Sequence, residues 1–165
     1  MNTLVLLQAG YNPNSTTFGA MLGFGKNKNG FYVGFRSDFG SAGSDLECNE
    51  NGTIGDGSIP PFYKEEVTHQ SRMSVTAGYF RRLNKTIYLY AGAGYGSRTL
   101  SYELDERAED ESGKSLEGIQ VKDTSKSPTG VAFELGGILR FNKFLISAGY
   151  HTVNAKYHEV SAGIG

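Results

Sequence analysis

The chain has 165 residues, the length of one ordinary domain, and its formal net charge is −1. This near balance of charge argues against nucleic acid as a partner, because that affinity comes largely from cations that neutralise phosphates. No segment approaches the 18 or so consecutive apolar residues of a membrane helix. Cys48 is the only cysteine, which excludes an internal disulfide. The 23 glycines, 10 tyrosines and 10 phenylalanines are typical of an all-β chain with many turns.

Eight segments alternate between apolar and polar residues with the period of two expected of β-strands. The predicted strands are residues 3–11, 16–25, 31–40, 70–83, 86–103, 129–141, 144–153 and 156–165. The second, fourth and sixth connections are tight, and the two long ones, 41–69 and 104–128, are both odd-numbered. Outer-membrane barrels have short turns at one end and longer external loops at the other. The sequence therefore predicts one all-β domain over residues 1–165, an eight-stranded antiparallel up-and-down transmembrane β-barrel.

The two faces of the predicted strands differ, since one is bulky and apolar while the other is polar and rich in glycine. The interior of an eight-stranded barrel is only just wide enough for its side chains, so the glycine-rich face is predicted to point inward. The apolar face would then form an outer belt too large for a soluble monomer but suited to lipid. Aromatic residues fall in two groups, as expected for girdles at the two membrane interfaces: Phe24, Phe31, Tyr79, Phe141 and Phe144 beside the tight turns, and Tyr11, Phe18, Phe39, Tyr95 and Tyr150 toward the long loops.

Charged residues on the inner face are predicted to pair with one another. The members of this interior charge network are Arg36, Asp38, Arg72, Arg98, Glu134, Arg140 and Glu159. The alternative is an aqueous pore lined by the same residues. A barrel of eight strands has little room for a channel, and burial forces opposite charges together, so a polar, filled interior is predicted.

Two motifs carry a resemblance to a known class. They are TIYLYAGAGYGSRTL at Thr86–Leu100 and RFNKF at Arg140–Phe144. With these the chain resembles small eight-stranded outer-membrane barrels of the OmpA/OmpX type, and it is most similar to uncharacterised outer-membrane barrel proteins. The resemblance spans nearly the whole chain and implies a bacterial outer-membrane location. Such barrels usually end in an aromatic residue, whereas this chain ends at Gly165, so either the last strand continues natively by a few residues or this chain is an exception to the rule.

Few residues are candidates for catalysis, metal binding or nucleotide binding. His151, Asp38 and Ser147 share the inner face in the loop half, where a nucleophile and base are conceivable, but no motif joins them. The segment LDERAEDES within 104–128 is rich in carboxylates and could hold Ca²⁺ or Mg²⁺ beside lipopolysaccharide, although a solvated mobile loop is favoured. Gly92, Gly94 and Gly96 lack the spacing of a nucleotide-binding loop. No catalytic, cofactor-binding or metal-binding residue is therefore predicted.

Function is predicted to lie in the loops. Phe62 and Tyr63, which follow two prolines in the first long loop, are the candidate contact residues. The predicted role is structural or interactive, with the loops serving adhesion or association with a larger outer-membrane complex. Expected partners are outer-membrane lipid, lipopolysaccharide and other outer-membrane proteins. The alternatives are a soluble lipocalin-like or streptavidin-like ligand-binding barrel and a lipid-modifying barrel enzyme. The start MNTLVLLQAG lacks the basic region of a signal peptide, so a mature chain or a C-terminal domain with Met1 added is expected.

Overall fold

The computed structural model describes residues 2–13, 15–43, 45–48, 64–104, 113–115 and 117–165, with the backbone alone at residues 2 and 64–68. Within these residues, no helix is long and apolar enough to span a membrane. Ten strands occur in the described ranges. They are β1 Asn2–Asn12, β2 Ser15–Lys26, β3 Asn29–Ser37, β4 Leu46–Cys48, β5 Lys64–Arg82, β6 Ile87–Leu104, β7 Gln120–Asp123, β8 Thr129–Phe141, β9 Phe144–Val153 and β10 Tyr157–Ile164.

Eight of these strands form a closed antiparallel barrel. Their order is β6-β5-β3-β2-β1-β10-β9-β8, and pairing of β8 with β6 completes the circle. Closure gives each of these eight strands a paired neighbour on both sides, so the barrel itself has no free sheet edge. The predicted fold class is thus confirmed. The largest difference in strand bounds is at β5, which begins at Lys64, six residues before its predicted start.

The three tight turns lie at one end of the barrel, which we call the turn end. Asn27 and Asn142 adopt positive φ angles of 61° and 54°, the conformation that tight hairpins require and asparagine tolerates. Asn84 acts differently, because its side-chain oxygen accepts hydrogen bonds from the backbone N–H groups of Thr86 and Ile87, both at 2.8 Å. The turns at Asn84 and Asn142 share the pattern Leu/Phe-Asn-Lys but reverse the chain differently. Asn142 does so through its positive φ, and Asn84 through its side-chain hydrogen bonds.

Two compact units divide the chain. The barrel unit comprises Met1–Asp38, Arg72–Ser97 and Thr129–Gly165, and the loop unit comprises Phe39–Ser71 and Arg98–Pro128. Strands β4 and β7 belong to the loop unit and were missed by the sequence analysis. They pair in parallel, with Leu46 opposite Val121, and β7 also pairs antiparallel with β6. The long connection 104–128 therefore contains a strand that the sequence pattern does not predict.

The outer face of the barrel unit is apolar and exposed, as the glycine argument predicts. Nine of the ten predicted girdle aromatics are on it, with Phe31 73% exposed at the turn end and Tyr95 62% exposed toward the other end, whereas Phe39 belongs to the loop unit. The rest of the belt consists of Val, Leu, Ile, Met and Phe side chains from every barrel strand. A soluble lipocalin-like barrel needs the opposite arrangement, a wet outer face around an apolar ligand cavity. The exposed belt is what hydrocarbon requires.

The interior of the barrel unit has two layers. Toward the turn end it is apolar, with a core of Leu4, Leu6, Met21, Tyr32, Phe80, Tyr88, Tyr90, Ile138 and Leu145. Toward the other end it is polar and charged. The sequence pattern predicts a polar inner face along the whole barrel, and the apolar layer corrects that prediction. Alternation fails to reveal it because both faces are apolar there, as in the run Leu4–Leu7 of β1.

Candidate functional site

The polar layer of the barrel is built around Arg36, on β3. Its guanidinium donates to Glu134 on β8 and to Glu159 on β10, both at 3.3 Å. A third hydrogen bond, of 3.1 Å, goes to the side-chain oxygen of Gln8 on β1. One cation thus ties together four strands that are distant in sequence. All of these side chains are buried, and in such an environment an unpaired charge would be strongly destabilising.

Arg72, on β5, is the second cation of this layer. It forms an ion pair with Glu159 at 3.2 Å and another with Asp38 at 3.7 Å. Its backbone N–H donates to the Asp38 carboxylate at 2.8 Å, and its guanidinium lies 4.3 Å from the centre of the Tyr157 ring. Ser15 accepts a further hydrogen bond from Arg72.

Hydroxyl groups complete the coordination of the two buried glutamates. Thr17 donates to Glu159 at 2.9 Å and Thr76 donates to Glu134 at 2.7 Å. Glycines make room for the network, since a Cβ on Gly10 would lie 2.0 Å from the Glu159 carboxylate. The network fills the barrel cross-section with paired charge, an arrangement that stabilises a closed interior and opposes conduction.

The seven residues predicted as an interior network do not all meet. Arg36, Asp38, Arg72, Glu134 and Glu159 lie together in the polar layer. Arg140 is exposed at the turn end, where it donates to the Tyr88 hydroxyl at 3.3 Å. Arg98 belongs to the loop unit, and its backbone N–H donates to the carbonyl of Pro128 at 2.9 Å. Strand parity alone does not show where along its strand each residue lies.

The residues considered for catalysis are not arranged as a nucleophile and base. Ser147 and His151 lie four residues apart on β9, a separation of about 13 Å along an extended strand. Neither ring nitrogen of the buried His151 has a hydrogen-bond partner within the described residues. A base must lie within hydrogen-bonding reach of its nucleophile. The described ranges also contain no group of three His, Cys, Asp or Glu residues placed to hold a metal ion.

The loop unit has a small hydrophobic core of its own. Cys48, Leu104 and Val121 are almost completely buried, and Leu46 and Ile119 pack against them. Cys48 also accepts hydrogen bonds through its carbonyl from the backbone and hydroxyl of Thr124. The candidate contact residues Phe62 and Tyr63 lie outside the described residues, as does the carboxylate-rich segment 105–112.

Asp123 closes the turn that follows β7. Its carboxylate accepts hydrogen bonds from the backbone N–H groups of Ser125 and Lys126 at 3.1 and 3.2 Å, and Lys126 forms an ion pair with it at 3.4 Å. Burial by itself would raise the pKa of Asp123, but the hydrogen bonds from Ser125 and Lys126 outweigh burial and lower it below its ordinary value. Chiefly through its hydrogen bond to Tyr102, the pKa of Lys126 is raised. The turn is therefore held by ionised groups.

Comparison with solved structures places the fold among small outer-membrane barrels. The chain is similar to the attachment invasion locus protein Ail of Yersinia pestis, with a TM-score of 0.57 and 16% identity over 97% of this chain and 89% of that one. Ail in complex with the heparin analogue sucrose octasulfate matches with a TM-score of 0.52, again at 16% identity over 97% and 89% of the two chains. The N-terminal barrel domain of Pseudomonas aeruginosa OprF matches at 0.50 and 12% identity, over 97% of this chain and 90% of that one.

These similarities, the closed barrel and its apolar belt define the class, a transmembrane β-barrel with the fold of bacterial outer-membrane proteins. The predicted location, the bacterial outer membrane, agrees with this fold. No protein-family model matches the chain, and no curated protein matches it. At 12–16% identity, these similarities show the fold alone.

Proposed function

We propose that this protein is a structural and interaction barrel of the outer membrane whose loop unit binds a protein partner, in adhesion or in a larger outer-membrane complex. One observation carries the proposal, the hydrophobic core of the loop unit formed by Cys48, Leu104 and Val121. Ordering a chain segment costs about 1–2 kcal/mol per residue, so connections that only join strands tend to be short. Long connections that fold around a core of their own are typical of binding surfaces.

The filled interior supports a role outside the barrel. Ion pairs of 3.2 and 3.3 Å occupy the polar layer, and the apolar core fills the turn end. Transport through the barrel would require both layers to reorganise. A surface function requires neither to change.

The charge of the loop unit indicates the chemistry of the partner. Its two segments contain fourteen Asp and Glu residues against six Lys and Arg, a formal net charge of −8. Ail has been solved with a heparin analogue, which is a polyanion. A surface as acidic as this one would repel such a ligand. We therefore propose a basic protein surface as the partner, and this choice separates the chain from a heparin-binding role.

The experiment compares the protein in lipid nanodiscs with a variant in which residues 41–69 and 104–128 are each replaced by a four-residue turn. Immobilised poly-lysine and immobilised heparin serve as model basic and acidic surfaces. We expect the wild type to bind poly-lysine, the variant to lose most of that binding, and heparin to be bound no less by the variant than by the wild type. Retention of the heat-modifiable gel shift shows that the variant barrel is folded. Equal binding of poly-lysine by both proteins, or a loss of heparin binding when the loops are replaced, would refute the proposal.

In native membranes the same pair tests for a complex. The tagged proteins are cross-linked from the external medium and purified in mild detergent. A partner recovered with the wild type and absent from the loop-replaced variant supports the proposal when that partner exposes a basic surface. Recovery of the same proteins with the wild type and with the loop-replaced variant would place the contact on the barrel and contradict the proposal.

A further inference from the structure

The near-neutral net charge of the chain hides a separation of charge. The turn end carries seven cations and no Asp or Glu in the stretches 24–31, 79–89 and 138–146. We call this group the cationic rim, and its members are Lys26, Lys28, Arg81, Arg82, Lys85, Arg140 and Lys143. Seven like charges at one end repel one another and are maintained at a cost unless an anion lies beside them. The rim therefore indicates an anionic partner at the turn end.

Strand register shows how part of this rim meets the apolar belt. On β2, β3 and β5, the residues Lys26, Asn29 and Arg81 lie opposite one another in one row across three strands. The next outward-facing row toward the belt is aromatic and consists of Phe24, Phe31 and Tyr79. The two rows place positive charge immediately beside an apolar surface, the order in which a lipid headgroup and its acyl chains meet.

The aromatic row of Phe24, Phe31 and Tyr79 forms an apolar surface next to the cations, which we call the shelf. The rings of Phe31 and Tyr79 pack edge to face with centroids 5.7 Å apart. Beside the shelf, a surface groove is lined by Phe24, Lys26, Asn29 and Phe31, together with the facing glycines 25 and 30. Both glycines face the barrel interior, where an added Cβ would meet the ring of Phe80, so the outer surface of the groove is formed by the side chains of Phe24, Lys26, Asn29 and Phe31. Its apolar part is suited to a hydrocarbon chain.

The cations are spaced to share one phosphate. Neighbouring strands lie about 4.8 Å apart, so the backbones of Lys26 and Arg81 are about 10 Å apart with Asn29 between them. Both side chains are long, exposed and flexible, and each reaches several ångströms toward the centre of the row. Asn29 supplies amide N–H donors between them. Two cations and an amide are suited to an anionic phosphodiester.

We propose that this patch on β2, β3 and β5 is a binding site for an anionic phospholipid. The phosphate lies among Lys26, Asn29 and Arg81, and an acyl chain runs along the groove beside Phe24 and Phe31. A zwitterionic lipid has the same phosphate but carries a compensating ammonium, so it gains less from the rim. A soluble polyanion gains from the cations but leaves the apolar shelf uncovered. The adjoining shelf and cations therefore favour a lipid with net negative charge.

The test uses native mass spectrometry of the folded protein released from detergent micelles that contain one added lipid. The probes are dioleoylphosphatidylglycerol and dioleoylphosphatidylcholine, which share their acyl chains and differ in net charge, and glycerol phosphate, which has no acyl chain. The wild type is compared with Lys26→Gln/Arg81→Gln. The control, Lys114→Gln/Lys156→Gln, removes two exposed cations that lie outside the cationic rim.

We expect the wild type to retain phosphatidylglycerol in preference to phosphatidylcholine, with about a five-fold loss of affinity for each rim cation removed. The control should bind as the wild type does. Equal retention of the two lipids by the wild type overturns the proposal, and so does an equal loss in the control. Displacement of phosphatidylglycerol by an equal concentration of glycerol phosphate would also overturn it, since the site would then recognise a soluble anion. If the double variant does not fold, the lipid comparison on the wild type and Lys26→Gln alone decides the outcome.

Discussion

Arg36 and Glu159 are 123 residues apart in sequence and meet inside the barrel with a nitrogen–oxygen distance of 3.3 Å, each almost completely buried. The same guanidinium holds Glu134, so its removal leaves two buried carboxylates without their central cation. This shared cation makes the polar layer a single cooperative structure. Its members should therefore not contribute additively to stability.

The first prediction concerns this cation. Arg36→Met should lower the free energy of unfolding by about 3–5 kcal/mol, the cost of leaving a buried charge unpaired. Urea unfolding of the protein in lipid vesicles, followed by circular dichroism, measures it. The double variant Arg36→Met/Glu134→Gln should lose less than the sum of the single variants. The control Lys156→Met, at an exposed turn, should change stability by less than about 0.5 kcal/mol. Additive losses in the double variant would show that the network is not coupled.

The second prediction tests the apolar layer. Ile138 and Leu139 are neighbours on β8, but Ile138 is completely buried inside the barrel while Leu139 is 41% exposed on the belt. Ile138→Ala should cost about 2–5 kcal/mol because it opens a cavity among packed side chains. Leu139→Ala should cost clearly less, since lipid can fill the vacated space. Equal losses in the same urea experiment would mean that the inner layer is loosely packed.

The third prediction concerns a glycine that lies against the backbone of the next strand. A Cβ at Gly94 would lie 1.9 Å from the carbonyl oxygen of Val75, and a backbone atom cannot move aside as a side chain can. Gly94→Ala should destabilise the barrel by at least about 1–3 kcal/mol. The neighbouring Ala93 is exposed on the belt, and Ala93→Leu should be tolerated. The heat-modifiable gel shift, scored against urea concentration, compares them. Tolerance of both substitutions would contradict the inward placement of Gly94.

The barrel could be predicted from two features of the sequence, the alternation of apolar and polar residues along the strands and the placement of glycines on one face. Period-two patterning located all eight barrel strands, and the crowding that Gly94 relieves is the crowding that distinguished the inner from the outer face. Pattern along a strand carries no information on depth, and for that reason Arg140 was grouped with Arg36 although it lies at the exposed turn end. The apolar layer was not predicted because segments such as Leu4–Leu7 are apolar on both faces, so alternation does not distinguish inner from outer residues there.

The loop unit was less predictable for a different reason. Strands β4 and β7 have three and four residues, too few for a period to be recognised. The two strands lie in separate connections and pair in parallel, with Leu46 opposite Val121. No hairpin turn joins them, so the sequence contains no turn signal for this pairing. Asp123 was also not singled out by the sequence analysis. Its carboxylate caps the backbone of the turn that follows, and it belongs to no recognised functional motif. Aspartate two or three residues before a serine and lysine is the signal that would have suggested such a turn.

The fourth prediction is a pH dependence of that turn. The pKa of Asp123 is lowered in the folded protein, so its contribution to stability is complete above its ordinary value of 3.8 and is lost as the pH falls through the lower, folded value. Amide proton shifts of Ser125 and Lys126, followed by NMR from pH 6 to pH 2, should therefore change together, with a midpoint below pH 3.8. In Asp123→Asn this transition should disappear. A transition centred above that value in the wild type would contradict the assignment.

The fifth prediction tests the belt as a lipid surface. Leu135 lies at the middle of β8 and is 58% exposed, so in a bilayer it faces the hydrocarbon near the midplane. Leu135→Lys should cost about 2–4 kcal/mol in vesicles, whereas Phe144→Lys, at the turn end of the belt, should cost only about 0–1 kcal/mol because the charge reaches the headgroups. In water both side chains would be solvated, and neither substitution would cost more than an ordinary surface change. Unfolding in vesicles by urea measures both variants under one condition. A graded penalty that follows depth identifies the belt as lipid-facing, and equal small penalties would exclude it.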